Sequence, residues 1–206
     1  MKKVLVYLRF FPILVFFFEY YHNERLREDV DRWLKPQKRS SFFTRVAFLL
    51  YDHKAFRNLF IYRNRYPQNH WLFCWWVKLW YPPEKTLYIE CSDIGGGFYI
   101  QHGFATYISA QKIGRDFSVN QQVTIGYNGH SASPVIGDCC MVMCGAKVLG
   151  DITIGDNTRI GANAVVIKDY KRGHGVLVGV PAKPKKEATK ELLLELGYDI
   201  DESLFD

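Results

Sequence analysis

A chain of 206 residues that is 48% hydrophobic, 23% charged and 16% aromatic has the composition of a globular protein able to bury a sizeable core. Its formal charge of +6 suits a polyanionic ligand or an anionic surface. No RNP, zinc-finger or helix-turn-helix signature accompanies that charge, which argues against a nucleic-acid partner. Five cysteines without metal-ligand spacing read as free thiols of a reducing cytoplasm and exclude a cysteine metal site.

Lys2 and Lys3 precede an apolar run over residues 4–18, interrupted by Arg9 and Pro12. The run lacks a small-x-small cleavage site and falls short of the roughly 20 apolar residues of a membrane span. It predicts a helix that packs on the protein or rests on the membrane's inner face, the lipid contact running through residues 1–21. Residues 22–80 then read as helices. Asn23 stands as the cap of a segment in which Leu26, Val30, Trp33 and Leu34 share a face. Residues 36–41 break it, and residues 42–51 form a second apolar segment. Asp52 sits where an N-cap belongs, ahead of Ala55, Leu59, Ile61 and Tyr62. The last segment, residues 70–80, is so aromatic that it must be buried or cover a partner. All five Trp fall before residue 81, and Pro82 and Pro83 end the helical region.

From Ile94 onward branched apolar residues recur every six positions. The beats are Ile94, Ile100, Tyr107 (after one extra residue), Ile113, Val119 and Ile125, then, after a gap of eleven, Ile136, Val142, Val148, Ile154, Ile160 and Val166. Neither a helix nor an alternating strand has this period. A parallel β-helix does, with each hexad making one short strand and one corner, and its aliphatic residue stacking on the coil below. Residues 127–134 exceed what a corner absorbs and predict an expelled loop, the kind of place where rigid solenoids put function. The expected class is α+β, with a helical region over 1–86, a β-helix over 87–183 and a C-terminal tail or short helix over 184–206.

The stretches I-G-G-G-F-Y-I-Q-H-G (94–103), N-Q-Q-V-T-I-G (120–126), C-G-A-K-V-L-G (144–150), I-G-A-N-A-V-V (160–166) and G-V-P-A-K (179–183) resemble the left-handed β-helix acyltransferases, most of all the serine acetyltransferases. The resemblance covers about residues 45–183. It implies an O-acetyltransferase that uses acetyl-CoA as co-substrate, needs no metal, and places its active site between two subunits of a homotrimer. His102 would be the general base that takes the proton from an acceptor hydroxyl, and Gly145, Ala146, Gly161 and Ala162 would line the coenzyme groove. Lys183 would meet a coenzyme phosphate, and Asp52 the acceptor. Read from the residues alone, His102 is equally a corner histidine, Asp52 a cap, the small residues tight corners and the lysines a solvated tail.

Two positions depart from the pattern. Gln101 stands where the serine enzymes have an Asp before the catalytic His. The loop holds His130 but no Arg for a substrate carboxylate. Gln101 and His130 are therefore candidate acceptor-binding residues, and a sugar hydroxyl of a surface polysaccharide or its precursor is the alternative acceptor. Only His102 and His130 precede the terminal turn within the β-helix, which argues against a three-histidine metal site.

Overall fold

The structure is a computed structural model that describes residues 23–34, 41–65 and 71–187. The expected apolar helix near the N-terminus and the expected helix near the C-terminus lie outside these residues. The chain divides into two units between Lys85 and Thr86.

The first unit holds four helices: α1 (Glu24–Trp33), α2 (Phe42–Asp52), α3 (Lys54–Arg65) and α4 (Trp71–Trp80). Asn23 Oδ1 accepts from the amide of Leu26 at 3.0 Å and caps α1, while Ser41 Oγ accepts from Thr44 and caps α2. Leu26 and Val30 of α1 and Leu49 and Leu50 of α2 are fully buried, as are Phe56, Leu59 and Phe60 of α3. Phe56 meets Trp33 edge-on with ring centres 5.3 Å apart, and Phe60 meets Phe73 at 6.1 Å. Asp29 of α1 is also buried, and it is held by the fork of the Arg63 guanidinium at 2.7 and 3.1 Å.

One expectation needs correction here. Asp52 is not the N-cap of α3. It is the exposed last residue of α2, whose turn continues until the amide of His53 bonds to Leu49 at 2.9 Å. Arg57 holds that end in place, its guanidinium donating to the carbonyls of Leu50 and Tyr51 at 2.6 Å each. Burial there lowers the pKa of Arg57 from its ordinary value. The aromatic segment α4 is buried on one side only: Phe73, Cys74 and Val77 enter the core, whereas Trp75 and Leu79 are 62% and 64% exposed.

The second unit is a parallel β-solenoid of about five turns that matches a left-handed β-helix. Its strands are β1 (Leu87–Ile89), β2 (Tyr99–Ile100), β3 (Thr106–Ile108), β4 (Lys112–Ile113), β5 (Ser118–Val119), β6 (Thr124–Gly126) and β7 (Val135–Ile136). They continue with β8 (Met141–Val142), β9 (Lys147–Leu149), β10 (Thr153–Ile154), β11 (Arg159–Ile160), β12 (Val165–Val166), β13 (Gly175–Val178) and β14 (Lys183–Glu187). Three sheets result. The first is ordered β1-β3-β6-β9-β12, the second β4-β7-β10, and the third β2-β5-β8-β11-β13-β14.

Register follows the six-residue beat. Ile94, Ile113, Ile136 and Ile154 pair in one column, and Ile100, Val119, Val142, Ile160 and Leu177 in another. Like stacks on like because each coil repeats the geometry of the one before. The remaining column corrects the expectation at Tyr107: it runs Ile108, Ile125, Val148 and Val166, and Tyr107 faces outward. The interval from Ile100 to Ile108 is eight residues, where Val119 to Ile125, Val142 to Val148 and Ile160 to Val166 each take six. The corner that carries His102 is therefore two residues longer than its equivalents.

Residues 183–187 are β14, which reverses after a turn holding a cis Val180–Pro181 bond and pairs antiparallel with β13.

Candidate active site

The corners joining the third sheet to the first fall on one edge of the solenoid, at residues 101–105, 120–123, 143–146 and 161–164, and the β13–β14 turn at 179–182 adds a fifth level beside the last of them. Backbone hydrogen bonds tie them in sequence: the Gln122 amide donates to Phe104, Gly145 to Gln121, Asn163 to Cys144 and Val165 to Gly179, at 2.9 to 3.1 Å. With coils about 4.8 Å apart the edge runs roughly 19 Å from the first corner to the last. His102 lies on the first corner, Gly145 and Ala146 on the third, Gly161 and Ala162 on the fourth, and Lys183 at the end of the fifth.

His102 has a φ of 67° and the next residue, Gly103, one of 74°. The amide of Gly103 donates back to the carbonyl of Gln101 at 2.9 Å, so His102 is the central residue of a three-residue turn of the rare positive-φ kind. Left-handed backbone at a residue with a Cβ costs about 1–3 kcal/mol, and such residues concentrate where geometry serves function. The side chains of Gln101 and His102 are both exposed at this turn.

The coenzyme-groove candidates differ among themselves. Gly145 has a φ of 73°, and a Cβ on it would lie 2.0 Å from Asn163 Oδ1. A Cβ on Gly161 would meet Val178 Cγ1 at 2.9 Å. Coil stacking alone thus demands both glycines. Ala146 is fully buried, its amide donating to Met143 and its carbonyl accepting from Thr124. Ala162 and Lys183 are exposed.

The predicted loop is present between β6 and β7, at the opposite edge of the first sheet from His102. Ser131 and Asn128 close its tip with bonds of 2.9 and 3.1 Å, and Gln111 Nε2 anchors it to the Ser133 carbonyl at 2.7 Å. His130 is exposed at that tip. Within one chain His130 and His102 therefore stand on different edges. Asp52 belongs to the helical unit, where its carboxylate lies 3.7 Å from His53 Nε2.

Three features escaped the sequence. Lys147 Nζ donates to the carbonyls of Gln122 and Gly145 at 2.8 and 3.0 Å and so ties the second corner to the third. Its place in the C-G-A-K-V-L-G stretch was the available signal. Gln121, on the second corner, has its side-chain oxygen shut off from solvent without a hydrogen-bond partner. Tyr107 donates to Glu90 Oε2, which, with some burial and the nearby negative charge, pushes its phenol up to about 12, and the Tyr88 ring lies 5.9 Å away. Among the described residues no group of three or more His, Cys, Asp or Glu is placed to hold a metal ion, and no helix is long and apolar enough to cross a membrane.

Comparison with known proteins agrees with this architecture. The model of the bacterial transferase hexapeptide (six repeats) matches residues 133–168. A serine acetyltransferase of Helicobacter pylori strain J99 is 43% identical over 96 residues, 45% of this chain and 56% of its own. One of Bacillus pumilus is 36% identical over 111 residues, 52% of this chain and 51% of its own. The chain thus spans about half the length of these relatives. In fold it is similar to the serine acetyltransferase of Neisseria gonorrhoeae, with a TM-score of 0.63 and 22% identity over 87% of this chain and 72% of that one. It is also similar to the Brucella abortus serine acetyltransferase in complex with coenzyme A, with a TM-score of 0.58 and 24% identity over 88% of this chain and 74% of that one. Repeat, register and relatives converge: the second unit is a hexapeptide-repeat β-helix similar to those of serine acetyltransferases.

Proposed function

We propose that this protein is an acetyl-CoA-dependent O-acetyltransferase with His102 as general base. The observation that carries the reading is the strained, solvent-facing turn at His102, on the same edge as Gly145, Gly161, Ala162 and Lys183. An unprotonated imidazole takes the proton of the acceptor hydroxyl as its oxygen attacks the thioester carbonyl of acetyl-CoA. The tetrahedral intermediate then collapses, the C–S bond breaks, and the proton passes to the departing thiolate of coenzyme A. The extended arm of the coenzyme runs along the corner edge, where residues without bulk let it approach the backbone, and Lys183 meets its phosphate.

The acceptor is serine by similarity to the relatives, with Gln101, His130 and Asp52 as its binding residues. Because His130 and His102 stand on opposite edges of one sheet, a complete site takes these residues from two copies, which supports a homotrimer. The reaction belongs in the cytoplasm, where acetyl-CoA is made and used. A sugar hydroxyl is the second reading. The loop lacks a cation for a carboxylate, and Tyr88 and Tyr127 expose aromatic faces on which a pyranose ring can stack. In that reading residues 1–21 rest on the membrane where lipid-linked sugar precursors lie.

Thiol release from acetyl-CoA, with L-serine in one arm and a panel of sugars in the other, tests both. Release with serine supports the first reading, and release with a sugar alone moves the protein to glycan modification. Absence of release with every hydroxyl acceptor, in a protein that also fails to bind coenzyme A, overturns the acetyltransferase reading.

A further inference from the structure

The aromatic helix α4 has two unlike faces. Phe73, Cys74 and Val77 are buried, whereas Trp75, Lys78 and Leu79 are exposed and, spaced i, i+3 and i+4, adjoin one another on the helix surface. Trp80, also exposed, closes the helix. Scattered apolar side chains on a surface are ordinary, but a contiguous patch rimmed by a basic residue marks a surface that meets a partner. Charge identifies the kind of partner. Residues 1–85 hold 16 Lys and Arg against 7 Asp and Glu, while residues 86–206 hold 11 against 14, so the helical unit alone carries the positive excess of the chain. Around α4 the imbalance is complete: between Asp52 and Glu84 stand five basic residues and no acidic one. Two of them, Lys78 and Arg65, lie near Cys74 of α4, where their charges oppose the rise that burial gives its thiol.

We propose that this face of α4 docks on an anionic lipid surface, with Trp75 and Leu79 entering the headgroup boundary and Lys78 meeting lipid phosphates. Tryptophan at headgroup depth, an aliphatic side chain beside it and basic residues around them form the composition by which a helix lies on a bilayer without crossing it. No described helix is long and apolar enough to cross. The same face of a second copy is a poorer occupant, because it brings like charge against like. A nucleic acid answers the charge but leaves Leu79 without a role, since bases stack on aromatic rings. The surface belongs to the folded helices, is separate from residues 1–21, and does not depend on the reaction catalysed by the β-helix.

The test sediments the full chain with vesicles of phosphatidylcholine alone and of phosphatidylcholine mixed with phosphatidylglycerol, at low and high salt. Wild type should bind the mixed vesicles, leave them as salt rises, and bind the neutral vesicles weakly. Trp75→Ser with Leu79→Ser should weaken binding to the mixed vesicles roughly tenfold or more. Melting temperature and particle mass should stay unchanged, because both side chains are exposed. Binding equal to wild type overturns the proposal and leaves residues 1–21 as the lipid contact. A lowered melting temperature with vesicle binding intact shows that another segment of the chain covers the face, and a fall in particle mass shows that a second copy does; either overturns it. Wild type that sediments with neither vesicle overturns it outright, and retention on heparin in that case reassigns the face to a polyanion. Should the double variant not fold, the wild-type tryptophans serve instead. All five lie in the helical unit and none in residues 1–21, so lipid brominated along its acyl chains should quench their emission on the mixed vesicles. Undiminished emission from bound protein overturns the proposal.

Discussion

Gly103 donates its amide to the carbonyl of Gln101 at 2.9 Å, and this bond pins the residue between them, His102, at a φ of 67°. Asparagine tolerates left-handed backbone better than most residues, whereas alanine does not. The pair His102→Ala and His102→Asn therefore separates chemistry from backbone strain. Both should lower turnover by about 10²–10⁴ while coenzyme affinity hardly changes, and the asparagine variant should keep the wild-type melting temperature. Steady-state rates and thermal melts decide it. An unchanged rate in either variant removes His102 from the mechanism.

The glycines on the edge can be separated by what a methyl group would meet. A Cβ on Gly145 would lie 2.0 Å from Asn163 Oδ1 at a φ of 73°, whereas one on Gly126 would find nothing within 4 Å. Gly145→Ala should cost about 2 kcal/mol or more, and Gly126→Ala should stay within about 0.5 kcal/mol of wild type. Chemical denaturation of the two variants makes the comparison. Equal stability would mean that the Asn163 side chain swings away at no cost.

The β-helix was legible because stacked coils repeat one environment at a fixed interval, so Ile94, Ile113, Ile136 and Ile154 declare themselves without any neighbour being known. Periodicity detects the insertion near Tyr107 but does not locate it. The two extra residues lie at the His102 corner, and only pairing of Ile108 with Ile125 shows it. An acid before an apolar segment, as at Asp52, fits a helix end and a helix start alike, and here Arg57 decides by binding the carbonyls of Leu50 and Tyr51. β14 carries the segment K-P-K-K-E, which has no apolar alternation and is a strand only because the backbone of β13 lies beside it. Gln121 was illegible in principle, since burial of one oxygen is a property of the folded edge. His102 is legible because its flanking stretch resembles a known motif, although nothing in the sequence announces its turn.

The helical unit offers a separate test. Asp29 and Arg63 are 34 residues apart in sequence, fully or almost fully buried, and joined by two hydrogen bonds. Removing one member strands the other as a buried charge, at a cost of about 3–5 kcal/mol, whereas replacing both with apolar residues is often nearly neutral. Arg63→Met should therefore destabilise strongly, and Asp29→Leu with Arg63→Met should recover most of the loss. A double-mutant cycle in urea measures the coupling. Additive losses would show that the two charges are stabilised independently of each other.

Tyr107 gives the prediction at high pH. Its hydroxyl donates to Glu90, and this bond, followed by burial and the charge of Glu90, raises the phenol from its ordinary value of 10.0 to about 12. The folded protein thus holds the proton more tightly than the unfolded chain does. The resulting stabilisation is complete below pH 10 and is lost as pH rises through 12. Ultraviolet titration should show a late-ionising phenol that Tyr107→Phe removes, and Glu90→Gln should bring it back toward 10, because a neutral amide accepts the bond without a charge to oppose the phenolate. In step with this, the denaturation midpoint of wild type should fall more steeply than that of Tyr107→Phe between pH 10 and 12. A titration without a late phenol, or one whose late phenol survives Glu90→Gln, would show that Glu90 does not hold the Tyr107 proton in solution.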